Sequence, residues 1–365
     1  MIDFKRAALI CVDWGSSNLR AYLIDGKGEV LARLQSDKGV LNFSAGQYGP
    51  ELSTLLQPWL REKPVPVMLA GMVGSAQGWQ DAGYVACPAT LADLAESLCP
   101  VAPSTSKPLV NPDLRDERFQ AYIVPGVKGL SSFGQIDVMR GEEVQIFGAL
   151  LATYPDAAEA TEHASPLVCL PGTHSKWAQV SMMPKEPCAL SATSIAHSSI
   201  TQFSTYMTGE LFALLNTHSI LGKMYQHADS ADDKNSADMF DSKAFDEGVK
   251  TARAPGSLLH KLFSARSKVL NKELQASGVH SYLSGMLIAT EVFDMLSVYQ
   301  PSDINTAVNT IEGATQAEII LVGAPALSKL YQQVIASTSF NVRCVDAERA
   351  SCLGILNIAK IAGKL

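Results

Sequence analysis

The pattern that most constrains this chain occurs twice. Residues Ala8 to Arg20 read ALICVDWGSSNLR. An apolar, β-rich run ends in Asp13, a tight turn carries Gly15, Ser16, Ser17 and Asn18, and a second strand-like run leads from Leu19 to Asp25. About 155 residues later the arrangement returns. Leu167 to Leu170 is apolar, Pro171-Gly172-Thr173-His174-Ser175-Lys176 is a polar turn, and Trp177 to Val180 is a returning strand. Backbone amides in such turns converge on an anion, and a nearby carboxylate can hold a metal through water. Gly15 lets the backbone approach a phosphate with no Cβ in the way. One copy alone reads equally well as an ordinary hairpin. Two copies, each opening its own unit, read as two surfaces that grip phosphates from both sides of a cleft.

The elements between the turns fit that division. Three antiparallel strands open the chain: Ala7 to Val12, Leu19 to Ile24, and Glu29 to Leu34 after the Asp25-Gly26-Lys27-Gly28 turn. Leu52, Leu55, Leu56, Trp59 and Leu60 recur at helical spacing, giving a helix over about Pro50 to Arg61. A strand at Val65 to Ala70, a short helix at Thr90 to Leu98, a strand at Ala121 to Val124 and a helix at Val138 to Leu151 follow, a layered α/β order. Tyr154 to Pro166 reads as a linker and Gln226 to Ser242 as a polar surface loop. Helices are expected at Pro255 to Ala276 and Val279 to Tyr299. The closing order is strand Glu318 to Val322, helix Ala326 to Ser337, strand Phe340 to Val345 and helix Glu348 to Ile361. The expected domains are 1–160 and 161–365.

The chain has 365 residues, room for about two domains. Its net charge is −7 and no Lys/Arg block occurs, which argues against nucleic acid as a partner. Seven cysteines at 11, 87, 99, 169, 188, 344 and 352 form no CxxC and no zinc-spaced cluster, so a reducing compartment is expected. The apolar run after Lys5 and Arg6 is shorter than a signal-peptide core, and no run approaches the ~20 residues of a membrane span. The expectation is a cytoplasmic protein with no membrane partner; a homo-oligomer is compatible with the sequence. No GxGxxG follows a strand and no GxxxxGK[ST] occurs, against a dinucleotide dehydrogenase or a P-loop NTPase. Met182, Met183 and Met286 read as core filling, and the acidic stretch Asp229 to Asp241 as a solvated loop.

Asp13-Trp14-Gly15-Ser16-Ser17-Asn18-Leu19-Arg20 resembles the first phosphate motif of the sugar kinase, heat-shock chaperone and actin superfamily, and Pro171 to Trp177 its second phosphate loop. A more specific resemblance is to the 2-dehydro-3-deoxygalactonokinase family. It rests on DWGSSNLR, AGMVGSAQGW (Ala70 to Trp79), DVMRGEE (Asp137 to Glu143), LPGTHSKW (Leu170 to Trp177), TGELFALL (Thr208 to Leu215) and LVGAPAL (Leu321 to Leu327), spread from end to end. One departure is the long detour from Ser181 to Ser199. The resemblance implies two duplicated actin/hexokinase-like (ribonuclease H-like) α/β domains flanking an ATP cleft. It also implies ATP-dependent phosphorylation of 2-dehydro-3-deoxy-D-galactonate at its 6-hydroxyl, in galactonate catabolism, with ATP and Mg²⁺ as cofactors. The alternatives are a kinase for another sugar or sugar acid, such as 2-dehydro-3-deoxygluconate, and a nucleotide-switched binding protein.

Such a kinase must align a hydroxyl with the γ-phosphate, take its proton and neutralise the phosphate charge. Asp137 is the candidate base, expected at a loop-to-helix junction and resembling the catalytic Asp of sugar kinases; its alternative is a helix N-cap. Asp13 is the candidate for water-mediated Mg²⁺ coordination, or else a strand-end Asp bonding its own turn. Gly15, Ser16, Ser17 and Asn18, with Gly172 and Thr173, would contact phosphates. Lys176 is a further phosphate candidate, or a solvated hairpin lysine. By resemblance Gly323 and Ala324 form the adenosine region. Gly71, Ser75 and Gln77 suit a small polar ligand at a strand's carboxyl end. The substrate carboxylate needs a cation, for which Arg20 and Arg140 are both candidates.

Overall fold

The computed structural model describes residues 2–44, 46–101, 120–155, 166–182, 195, 198–226, 240–299 and 318–365. The chain divides into two compact units. The first comprises Met1–Pro166, Ala178–Phe203 and Val345–Leu365, and the second Leu167–Trp177 and Ser204–Cys344.

The first unit opens with β1 (Ala7–Trp14), β2 (Leu19–Asp25) and β3 (Val30–Ser36), paired antiparallel as expected. α1 (Tyr48–Leu60) buries Tyr48, Leu52, Leu56 and Trp59 at helical spacing against them. β4 (Val67–Ala70) is buried throughout and runs parallel to β1. After β5 (Tyr84–Ala86) and β6 (Ala89–Thr90) comes α2 (Leu91–Glu96), started by a reciprocal Thr90–Asp93 capping box. β7 (Cys99–Val101), β8 (Ala121–Ile123), β9 (Gly126–Leu130), β10 (Ile136–Met139) and α3 (Glu142–Thr153) follow. One sheet has the order β3-β2-β1-β4-β8-β7, and a small one has the order β10-β9-β5. Because β1, β4 and β8 are parallel, Asp13, Ala70 and Ile123 all lie toward carboxyl ends. In α/β sheets that edge is where ligands bind.

The second unit begins with β11 (Leu167–Leu170). The chain changes unit within β12 (Ser175–Ser181) and again within β13 (Ser199–Tyr206). Then come α4 (Thr208–His218), α5 (Ile220–Gln226), α6 (Ser242–Arg253), α7 (Leu258–Leu262), α8 (Ser264–Leu270), α9 (Val279–Val298), β14 (Glu318–Val322), α10 (Pro325–Ile335) and β15 (Asn341–Val345). β11 and β14 run parallel, Cys169 beside Leu321. α11 (Ala347–Ile361) returns to the first unit, where Gly148 and Gly354 let it touch α3 backbone to backbone.

Several elements differ from the sequence reading. Asp137 is not at a loop-to-helix junction: it lies inside β10, and α3 starts only at Glu142 with Gly141 as its cap. The helix expected over Pro255 to Ala276 is two short helices, α7 and α8, meeting at Phe263. α6 was not anticipated. Most of the linker before Pro166, most of the Ser181 to Ser199 detour including Met183, and most of the polar loop after Gln226 lie outside the described residues.

Candidate active site

In the first turn the Gly15 N–H donates to the Asn18 carbonyl (2.9 Å), and the Gly15 carbonyl accepts from the Val40 N–H (3.0 Å). Gly39 backs this turn so closely that a Cβ there would stand 2.0 Å from the Ser16 carbonyl oxygen. A Cβ on Gly15 would meet only the Asn18 carbonyl oxygen, at 3.7 Å. Packing therefore demands glycine at 39 but not at 15, where the free side is the one an anion would take. Behind the turn Trp14 packs edge-on against Phe43 and Tyr48, and Tyr48 stacks on Trp79. The Tyr48 hydroxyl lies 3.1 Å from both the Val40 and Gln77 carbonyls, tying the turn to the segment after β4.

The turn borders a cavity of about 240 Å³ lined by Asp13, Gly15, Ser16, Ser17, Asn18 and Arg20. It suits a phosphate-sized group rather than a whole nucleotide. Arg20 Nη1 stands 3.9 Å from Asp13 Oδ2, with the arginine side chain 52% exposed. Burial pushes the Asp13 carboxyl above its ordinary value; Arg20 opposes the rise and the charge of Glu142 adds to it. Among the described residues no three His, Cys, Asp or Glu side chains gather as a metal cage. Magnesium commonly binds through one or two carboxylates plus phosphate and water, so Asp13 beside a phosphate-sized cavity fits that ion.

Gly71 (φ +95°) ends β4, and a Cβ on it would lie 2.9 Å from the Trp14 carbonyl oxygen and 3.3 Å from Asp13 Oδ1. Gly141 (φ +104°) caps α3 and packs on Gly71. The carboxyl ends of β1 and β4 and the amino end of α3 thus meet around Asp13. In the first turn of α3, Glu142 Oε2 accepts the Arg140 N–H at 3.0 Å. Glu143, fully buried, accepts the Gly141 N–H on both oxygens at 2.9 and 2.7 Å. Burial, helped by the neighbouring Glu142 charge, pushes the Glu143 carboxyl up to about 8.

The other first-unit candidates divide. Arg140 lies beside Gly74, but its side chain is only 4% exposed. It covers the Tyr84 ring at 4.4 Å and donates to the Gly83 carbonyl at 2.9 Å, while Nε and Nη1 find no partner among the described residues. Of the two arginines, Arg20 is the one that reaches the cavity. The Ser75 hydroxyl donates to the Met72 carbonyl (2.8 Å) within its own turn, and Gln77 is exposed. Asp137 accepts the N–H of Val138 on Oδ1 (2.8 Å) and is not part of the cavity lining. It caps no helix, so the N-cap alternative falls.

In the second unit the Pro171–Lys176 loop rests on the start of α4. Glu210 N–H donates to the Thr173 carbonyl at 3.0 Å, and a Cβ on Gly209 would collide with the Gly172 carbonyl oxygen at 2.5 Å. His174 pairs with Glu210. A Cβ on Gly172 would meet nothing within 4 Å, so that loop face is open. Lys176 is 5% exposed with Nζ 3.5 Å from the His174 carbonyl, so it is not a solvated hairpin lysine. Gly323 and Ala324 end β14 beside Pro171, and Ala324 precedes α10. The loop and the expected adenosine region therefore share the carboxyl edge of two neighbouring parallel strands. The sequence reading did not single out Gly39, Glu142, Glu143, Gly209, Tyr331 or Glu291. For Glu291, an acid just after the apolar run Met286 to Ala289 of α9 was the available signal.

The pattern of the family described as 2-keto-3-deoxy-galactonokinase matches residues 13–358. A protein of Rhizobium meliloti (strain 1021) named "Probable 2-dehydro-3-deoxygalactonokinase" is 32% identical over 350 residues, 96% of this chain and 95% of its own. The 2-dehydro-3-deoxygalactonokinase of Escherichia coli (strain K12) is 32% identical over 353 residues, 97% and 98% of the two chains. A crystal structure of a Sinorhizobium meliloti protein described with the same activity superposes with a TM-score of 0.69 at 30% identity, over 96% of this chain and 98% of that one. Among the described residues no helix is long and apolar enough to cross a membrane.

Proposed function

The chain belongs to the 2-keto-3-deoxy-galactonokinase family, and we infer from this how its site performs that family's chemistry. The protein is a kinase of the two-domain α/β sugar-kinase fold that phosphorylates 2-dehydro-3-deoxygalactonate, with ATP as the phosphoryl donor. The observation that carries the reading is the extent of the match: residues 13–358 begin at Asp13 and take in both phosphate loops and the β14–α10 corner.

Phosphoryl transfer is mostly positioning and charge neutralisation. In our reading Gly15, Ser16, Ser17 and Asn18 receive the transferred phosphoryl group, and Gly172 and Thr173 the remaining phosphates. Gly323 and Ala324 leave room for the adenosine. Asp13 would hold Mg²⁺, which would supply charge neutralisation at the phosphates. Gly71 and the Ser75–Gln77 turn border the sugar acid, and the acceptor is its 6-hydroxyl. Arg20, exposed in the cavity, meets the substrate's negative charge, while Arg140 braces the β10–α3 junction.

The base lies at that junction, where two carboxylates compete. The motif resemblance points to Asp137. Each carboxylate has one oxygen engaged by a backbone N–H, and we place the base at Glu142 because its charge is felt at Asp13, where the ends of β1, β4 and α3 meet. Release of ADP with Mg-ATP and a panel of 2-dehydro-3-deoxygalactonate, its gluconate epimer, galactonate and galactose tests the reading. Strong preference for the first compound is expected; activity on the epimer alone would overturn the substrate, and silence on all four would overturn the kinase.

A further inference from the structure

Among its described residues the second unit holds one buried acid that the chemistry above does not use. Glu291, on α9, is 2% exposed. Its Oε1 accepts the Trp177 Nε1–H at 2.7 Å and its Oε2 the Tyr331 hydroxyl at 2.8 Å. The Thr208 side chain is hydrogen-bonded to it as well. Burial raises its carboxyl above the ordinary value, and the donors from Thr208, Trp177 and Tyr331 oppose that rise.

The Tyr331 hydroxyl is the donor to Glu291. The Tyr331 oxygen is then left to accept from Ser175, whose Oγ lies 3.0 Å away and is buried. The Ser175 oxygen in turn accepts the Gly172 N–H at 3.4 Å. The result is a directed chain from Gly172 through Ser175 and Tyr331 to Glu291. It begins inside the second phosphate loop and ends on α9. The same acid holds Thr208, the first residue of α4, and the loop rests on the next two residues, Gly209 and Glu210. Tyr331 belongs to α10, the helix that follows Gly323 and Ala324. One carboxylate therefore anchors the loop and both helices that frame it.

We propose that Glu291 is a positioning residue for the nucleotide, fixing the second phosphate loop and the start of α4 in the geometry that receives ATP phosphates. The proposal rests on the reading that this loop is the ATP grip. Glu291 touches no substrate; it acts through Tyr331, Ser175 and Thr208. A glutamine at 291 presents a donor where a donor now arrives, so the chain must reverse and Ser175 must turn to the Gly172 carbonyl.

The test measures KM for ATP and for the sugar acid separately in Tyr331→Phe and Glu291→Gln, with Tyr282→Phe as control. Tyr282 is another buried tyrosine of this unit, bonded to Ser264 and Thr251 instead of the loop. We expect KM for ATP to rise about tenfold in Tyr331→Phe and Glu291→Gln, with KM for the sugar acid within twofold and the control unchanged. Adding Ser175→Ala to Tyr331→Phe should add little, because the link is already cut. If Glu291→Gln does not fold, Tyr331→Phe alone decides. Folded variants with unchanged KM for ATP, equal rises in both KM values, or the same rise in the control would overturn the proposal. Wild-type protein that releases no ADP would instead overturn the kinase reading itself.

Discussion

Replacing Glu143 by Gln tests whether this acid is carried neutral inside the first unit. The side chain is fully buried, its donor is the Gly141 N–H, and the pKa is pushed up to about 8 from an ordinary 4.5. Because the folded value lies above the unfolded one, the folded state holds a proton that the unfolded state releases. Stability is then full below pH 4.5, falls as pH rises through the window up to 8, and levels off beyond it. A shift of that size makes wild type lose about 3 kcal/mol between pH 5 and 8 through this one group. Glutamine resembles the protonated acid, keeps an oxygen for the Gly141 N–H and does not titrate. Glu143→Gln should therefore match wild type near pH 5 and exceed it by about 3 kcal/mol at pH 8. Urea denaturation from pH 5 to 8, followed by tryptophan fluorescence, reads this directly, since Trp14, Trp59 and Trp79 all lie in the first unit. All other titrations are common to both proteins and cancel in the difference. Parallel pH profiles would refute the argument.

At the β10–α3 junction, Glu142→Gln is expected to lower kcat by about two to four orders of magnitude with ATP binding retained, and Asp137→Asn to lower it far less; the reverse order, from steady-state kinetics, would return the base to Asp137. Arg20→Met should raise KM for the sugar acid about tenfold or more, the loss of one charge-assisted contact. Arg140→Met should leave KM within twofold, because Arg140 does not line the cavity and is engaged by Asp81, Gly83 and Tyr84; a large KM effect there would reassign the carboxylate contact. Asp13→Asn should raise the Mg²⁺ concentration needed for half-maximal rate, and an unchanged metal titration would remove Asp13 from the metal site.

The sequence made the strands beneath both loops legible because they are short apolar runs ended by a polar turn, as in Leu167–Leu170 before Pro171. β10 was read as part of a helix because it is not a buried strand. Ile136 is 83% exposed and Val138 47%, so apolar residues face solvent and the usual burial alternation is absent. α6 escaped for the opposite reason. Its buried face is Ala244, Phe245 and Gly248, and it meets α9 through glycines: a Cβ on Gly248 would stand 2.1 Å from the Tyr282 carbonyl oxygen, and one on Gly285 2.1 Å from that of Phe245. The stripe is there at helical spacing, Ala244, Phe245, Gly248, Val249 and Ala252, but Phe245 and Val249 are its only large apolar members and charged residues surround it, so it does not stand out. The two candidate turns stand out through their glycines, but of the glycines the fold itself requires, Gly39 sits in a segment without a motif and Gly209 inside TGELFALL, where packing behind the turn gives no separate signal.

The two buried glutamates show how the same substitution carries opposite signs. Each stands behind a loop at the carboxyl edge of parallel strands, Glu143 under Gly141 and Gly71, Glu291 under the Pro171–Lys176 loop. Glu143 meets only backbone N–H donors, its own and that of Gly141; burial and the Glu142 charge outweigh these and the pull of Arg140, so the carboxyl keeps its proton and an amide replaces it without loss. Glu291 meets the indole of Trp177 and the hydroxyls of Tyr331 and Thr208, all arriving as donors. An amide there accepts on one side only: Tyr331 must reverse its hydrogen bonds and the Thr208 hydroxyl loses its acceptor, a cost of about 1–3 kcal/mol. Glu143→Gln should thus stabilise above pH 5 where Glu291→Gln destabilises, and thermal melts of the two variants at pH 8 compare them side by side. Melting temperatures that move in the same direction would mean that donor count does not decide the charge state of these acids.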